Sequence, residues 1–288
     1  MPTIRLSAGT LEYIDTGGDG PVIVFVHGLV MDALVWNDVI AMLRDDHRCI
    51  APTLPLGAHQ RPMHRDADLS MTGQARLLAE FIERLDLDDV TLVANDWGGP
   101  LVTAVDHPAR IGRLVLTPCE AFDNLPPGLP GKFAAFAARM PGGLAFAAQT
   151  LRPRFMRRQP TTFGWMSRGP IPSQLFDPWI QGLRKSRAIR RDVAKYVRTT
   201  DMRTLDQIVD RLRVLPMPVL VAWGDHGKVM PVEHGRRLAG LVPNGRYVEI
   251  PDARVLVQLD EPTRVAELIR SFVAEWPGIV ATAHGSTG

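Results

Sequence analysis

Cysteine is scarce in this 288-residue chain, which has only Cys49 and Cys119. Both stand in apolar surroundings, "HRCIAP" and "VLTPCEAF". That context suits reduced, buried thiols and supplies neither a disulfide framework nor the clustered ligands of a metal site. Charge of one sign is also lacking. A formal net charge of +2 is too balanced to make nucleic acid the main partner. No apolar run is long enough to span a bilayer, and "MPTIRLSAGTLEYIDTG" has no apolar core after a basic start, as a signal peptide would. There is no phosphate-binding Gly-rich loop. The expectation is a cytoplasmic chain with a small-molecule substrate and no cofactor, metal, nucleic acid or membrane span.

What the chain does have is an alternation of short apolar runs with helix-length segments. "PVIVFVHG" (21–28) is continuously apolar, as a strand buried on both faces of a parallel sheet would be. A helix is expected over 36–43 and a strand at 47–52. "MTGQARLLAEFIERLDL" (71–87) places Ala75, Leu78, Ala79, Ile82 and Leu85 at helical spacing behind Ser70 and Thr72 as caps. Strands follow at 89–95, 111–118, 217–225 and 245–252, with a helix after Gly99 and a closing helix at 262–276. This order predicts an α/β protein whose mostly parallel sheet is flanked by helices.

Residues 124–214 differ in character. They hold helical patches and many Pro and Gly but no convincing strand, and read as a helical insertion covering one end of the sheet. The core is then 1–123 with 215–277, and 278–288 is a disordered tail. From "RPRFMRRQP" to "RKSRAIRRD" the insertion is dense in arginine and nearly free of acids. A solvated basic face is the plain reading; attraction of an anionic substrate or a membrane surface is the sharper one.

The stretch "TLVANDWGGPL" (91–101) runs from a buried strand into small–x–nucleophile–x–Gly and then a helix. A turn this sharp needs small residues around it, here Ala94, Gly98 and Gly99, because the backbone is strained and neighbouring strands are close. Asp96 at its apex lies near a helix N-terminus, which favours the anion. An aspartate that merely N-caps the helix is the alternative.

Taken together, "VFVHG", "VANDWGGP", the helical insertion, "VLVAWGD" and "VEIPDARVLVQLDEP" resemble the α/β-hydrolase superfamily over most of the chain. The resemblance implies an α/β-hydrolase fold with an inserted helical cap. Aspartate followed by tryptophan is similar to haloalkane dehalogenases and, more loosely, to epoxide hydrolases. In such a mechanism a carboxylate attacks carbon to form an ester, and an acid-held histidine activates the water that cleaves it. The resemblance makes Asp96 the nucleophile and places Trp97 and Leu29 at the oxyanion or halide site. Leu29 stands where many dehalogenases have asparagine, so Trp165 or Trp179 would supply a second N–H. Epoxide hydrolases use two cap tyrosines, whereas this insertion has only Tyr196.

The departures from that pattern carry equal weight. Arg254 and Val255 fall where Gly and the catalytic histidine would stand, and Gly227 occupies the usual acid position. Glu120 in "TPCEAF" fits the alternative acid site at the end of the preceding core strand. Two histidines are candidate substitute bases: His226, after the strand that normally delivers the acid, and His59, in a loop bordering the site. His27 reads as structural; His47, His64, His107, His234 and His284 read as surface or helix residues. The leading expectation is hydrolysis of a small apolar substrate. A nonhydrolytic lyase, isomerase or cyclase, or a ligand-binding protein on a degenerate scaffold, are the alternatives.

Overall fold

The computed structural model describes residues 1–200 and 202–276, without the side chains of Met202, Asp206, Val209 and Asp210. The tail read as disordered, 278–288, lies outside the described residues. Eight strands form one sheet: β1 (Thr3–Leu6), β2 (Gly9–Asp15), β3 (Val22–Val26), β4 (Arg48–Pro52), β5 (Val90–Ala94), β6 (Ile111–Leu116), β7 (Val219–Gly224) and β8 (Gly245–Ile250). Their order is β1-β2-β4-β3-β5-β6-β7-β8. From β4 to β8 every pairing is parallel, while β1 and β2 add an antiparallel edge. That edge pair was not anticipated, because its strands lack the long apolar runs of the central ones. They need fewer, since the N-terminal edge has solvent on part of its surface.

The central strands β5 and β7 are buried at every residue, as strands covered on both faces must be. Around the sheet lie α1 (Asn37–Leu43), α2 (Met71–Arg84), α3 (Gly99–Asp106), α10 (Val232–Leu241), α11 (Val257–Asp260) and α12 (Pro262–Glu275). Ser70 caps α2 by accepting from the Gly73 N–H at 3.1 Å, which fixes where that helix begins.

Between β6 and β7 come six helices and no strand among the described residues. They are α4 (Gly128–Arg139), α5 (Gly143–Thr150), α6 (Arg154–Arg157), α7 (Ser173–Lys185), α8 (Arg187–Thr199) and α9 (Met202–Leu212). The apolar faces of α4, α5, α7 and α8 turn toward the C-terminal ends of the strands and enclose a cavity there. No described helix is long and apolar enough to cross a membrane.

The loop after β8 is tied to the segment 164–168. The Leu256 N–H donates to Met166 O at 2.8 Å, and Arg254 Nη1 donates to Gly164 O at 2.6 Å. Asp260 accepts from Ser167 Oγ at 2.7 Å and from the N–H groups of Arg168 and Arg254, each at 2.9 Å.

Candidate functional site

Asp96 sits just past the C-terminal end of β5, with φ of 60°, a region that L-residues other than Asn and Asp seldom enter. Two backbone hydrogen bonds hold it there. Its own N–H donates to Pro118 O at 2.7 Å, and the Trp97 N–H reaches back to Asn95 O at 2.7 Å, closing a three-residue turn around Asp96. The strain is maintained by the residue next door. Asn95 Nδ2 contacts Thr117 Oγ1 at 2.9 Å, Pro118 O at 3.2 Å and Val255 O at 2.7 Å. Its Oδ1 accepts from Gln258 Nε2 at 2.9 Å. One buried amide thus pins the ends of β5 and β6 to the loop after β8.

The carboxylate of Asp96 rests on the glycine of the "HG" turn. A Cβ at Gly28 would fall on the Asp96 carboxyl, so only glycine permits this approach. The Leu29 N–H donates to Asp96 Oδ2 at 3.3 Å. Burial pushes the Asp96 carboxyl up to about 7, against the lowering effect of that one hydrogen bond.

Glu120 shares the cavity. Its carboxyl is pushed up to about 8, first by burial and then by the charge of Asp96, while hydrogen bonds from the Gly98 N–H and the Tyr196 hydroxyl work the other way. Tyr196 Oη lies 3.4 Å from Glu120 Oε2. Tyr196 belongs to α8 and was weighed from sequence only as half of an epoxide-hydrolase pair. Its partnership with Glu120, across 76 residues, had no sequence signal. Apart from these groups and a few threonines and Arg139, the cavity of about 160 Å³ is lined by side chains such as Leu125, Phe133, Leu144 and Val229.

The other expected residues lie elsewhere. His226 is exposed, with Nδ1 2.5 Å from Asp225 Oδ1. His59 is buried between the Gly57 N–H, which donates to its Nδ1 at 3.3 Å, and Asp192 Oδ2 at 3.4 Å. Neither lines the cavity, and no other histidine among the described residues does. His27 accepts from the Leu54 N–H at 2.9 Å and is kept neutral by burial, which lowers it to about 4. His47, expected at the surface or in a helix, is buried and in neither.

The tryptophans are also turned away. The Trp97 indole lies against the Gly99 backbone, outside the cavity lining, with its Nε1 buried and unpaired. Its amide, expected as an oxyanion donor, is spent on Asn95 O. Trp179 Nε1 donates to Asp32 Oδ1 at 3.0 Å, and Trp165 lies outside the lining, with Lys228 over its ring.

The positions expected from sequence for the family's base and acid are physically closed. Val255 is buried in the apolar core. At Gly227 a Cβ would come within 2.5 Å of Met230 O and 2.8 Å of Val232 N, so the backbone leaves no room for an acid there. Among the described residues no three His, Cys, Asp or Glu side chains group as metal ligands. What the cavity offers chemically is two carboxyl groups of raised proton affinity, one backbone donor and one phenol, in apolar surroundings.

Residues 23–268 match the family model described as "Alpha/beta hydrolase family". Haloalkane dehalogenase 2 of Mycobacterium tuberculosis is 28% identical over 283 residues, covering 91% of each chain. The cis-3-alkyl-4-alkyloxetan-2-one decarboxylase of Shewanella oneidensis is 24% identical, covering 92% of this chain and 85% of its own. In three dimensions the haloalkane dehalogenase DbeA from Bradyrhizobium elkani superposes with a TM-score of 0.77 at 19% identity, over 94% of this chain and 96% of that one.

Proposed function

The chain belongs to the alpha/beta hydrolase family, and from that membership we propose a haloalkane dehalogenase-like hydrolase of small apolar substrates, with Asp96 as nucleophile. In it Glu120 takes the part that histidine plays in the family. The observation that carries this reading is the carboxyl pair in an apolar cavity that no histidine among the described residues lines.

The chemistry follows from that pair. Ionised Asp96 attacks the substrate carbon, and the carbon–halogen bond breaks with its electron pair leaving on the halide. Esterification removes the charge of Asp96, one of the two causes that raise Glu120, so Glu120 releases its proton more readily once the ester has formed. As a carboxylate it then takes a proton from water, whose oxygen attacks the ester carbonyl of Asp96. The tetrahedral species collapses, the alkoxide takes the proton back from Glu120 as alcohol departs, and Asp96 regains its carboxyl. The apolar walls contributed by α4, α5, α7 and α8, read here as a cap, exclude bulk water during the first step.

One observation favours a second, nonhydrolytic reading. The Trp97 amide donates to Asn95 O, which leaves an ester carbonyl on Asp96 without the usual backbone donor on that side. Asp96 and Glu120 would then act as an acid–base pair on a substrate that is rearranged or cleaved without water, in keeping with the likeness to a decarboxylase.

Intact-protein mass spectrometry over a haloalkane panel separates the readings. The hydrolase reading expects sustained halide release, loss of all reaction in Asp96→Ala, and a stable alkyl adduct accumulating in Glu120→Gln. A nonhydrolytic conversion abolished by Asp96→Ala with no adduct in any variant would replace it. Ligand binding unchanged by Asp96→Ala, with neither adduct nor turnover, would point to a binding protein.

A further inference from the structure

All the exposed phenylalanines among the described residues stand on three consecutive short helices of the insertion. Phe136 on α4 is 64% exposed, Phe146 on α5 69% and Phe155 on α6 66%. Met140, at 48%, lies one turn beyond Phe136. The helices α4 and α5 fold back on each other across Pro141 and Gly142, with the Gly143 N–H donating to Met140 O at 3.0 Å. The other side of α4, through Phe133 and Ala134, lines the cavity. Exposed apolar side chains grouped in this way mark an interaction surface more often than chance.

The charge around them is of one sign. Residues 124–200 hold fourteen lysines and arginines, two aspartates and no glutamate. Lys132, Arg152, Arg154 and Arg158 are exposed beside the phenylalanines, and none has a carboxylate partner among the described residues. The excess of twelve positive charges in a chain of net charge +2 leaves the remainder at −10. A second copy meeting the first through this same face would bring two cationic surfaces together, which disfavours self-association there. Exposed aromatic side chains with unpaired cations close by in the sequence match instead the interface of an anionic bilayer. There the rings enter the headgroup region and the cations meet lipid phosphates and carboxylates.

We propose that the outer face of α4, α5 and α6 docks this protein on anionic lipid membranes, with the cavity wall formed by α4 lying against the membrane side. An apolar substrate dissolved in lipid would then reach the cavity without crossing bulk water. The proposal is independent of the chemistry at Asp96.

The test is sedimentation of the full chain with vesicles of phosphatidylcholine alone, or of phosphatidylcholine mixed with phosphatidylserine. The expected result is at least tenfold stronger partitioning into the anionic vesicles, weakened by salt. Replacing Arg152, Arg154 and Arg158 together by Gln should lower it about a hundredfold, at roughly fivefold per cation. Phe146→Ser with Phe155→Ser should lower binding while its salt dependence remains. A Phe146→Trp reporter should shift its emission to the blue only with anionic vesicles. All substituted side chains lie on the surface and outside the cavity lining, so unchanged thermal melting is the folding control. Equal affinity for both vesicle types, or no binding, would overturn the proposal. So would concentration-dependent dimers in light scattering that the phenylalanine substitutions abolish, which would assign the face to a second copy.

Discussion

Asp96 and Glu120 hold their protons to about 7 and about 8, whereas unfolded carboxyls release theirs near pH 4. The folded state therefore binds more protons than the unfolded one across that interval. Its stability falls as pH rises from about 4 through 7 and 8, the reverse of a salt-bridged carboxylate. Asp96→Asn removes the burden of ionising in a buried place. The variant should exceed the parent by roughly 4 kcal/mol in urea unfolding at about pH 9, and match it near pH 4. Activity should follow the opposite slope: the alkylation step should gain tenfold per pH unit up to about 7 and then level, as quenched mass spectrometry would read it. At Gly28 the demand is steric. Gly28→Ala pushes the Asp96 carboxylate off its seat, and should cut adduct formation at least ~100-fold while costing only ~1–3 kcal/mol of stability.

At the scale of elements, the turn bearing Asp96 stays bent because Asn95 joins β5, β6 and the loop after β8 through one side chain. Asn95→Ala leaves the Gln258 amide and the Val255 carbonyl buried without partners. It should cost ~3 kcal/mol by denaturant titration, and should lower alkylation further than that loss alone explains. The sheet was legible in the sequence, because strands buried on both faces appear as unbroken apolar runs. The positions of Asp96 and Glu120 at the ends of strands were legible for the same reason, since each stands within four residues of such a run. The antiparallel β1–β2 edge was not, having few buried residues to announce it. Nor was the Asn95 clasp, whose partner Val255 stands 160 positions away. A departure from a motif can be read from a sequence, but the side chains that gather around it cannot. Tyr196 beside Glu120, and the Trp97 amide turned toward Asn95, are both set by tertiary packing.

For the molecule as a whole, the segment between β6 and β7 is fastened to the core at residues 164–168, through Asp260 and Arg254. A region tied to the core at its middle as well as joined to it by both chain connections should not melt separately, so calorimetry should show one cooperative transition. Asp260→Ala frees Ser167 Oγ and two N–H groups at once. It should cost ~2–3 kcal/mol, and should let the helical region lose protection from hydrogen exchange ahead of β5 and β7.

The closed space at Gly227 also constrains how this scaffold can be altered. At that position every residue larger than glycine meets the Met230 and Val232 backbone, so a saturation library there should yield few folded clones. Any route toward an imidazole-dependent enzyme must keep Glu120 as the orienting acid. It must also change Val255 together with its apolar neighbours, because a polar ring alone would be buried in a core built for a branched alkyl group. The accessible mutational path is thus a concerted one, and single-step screens for imidazole-dependent turnover should return nothing from either position.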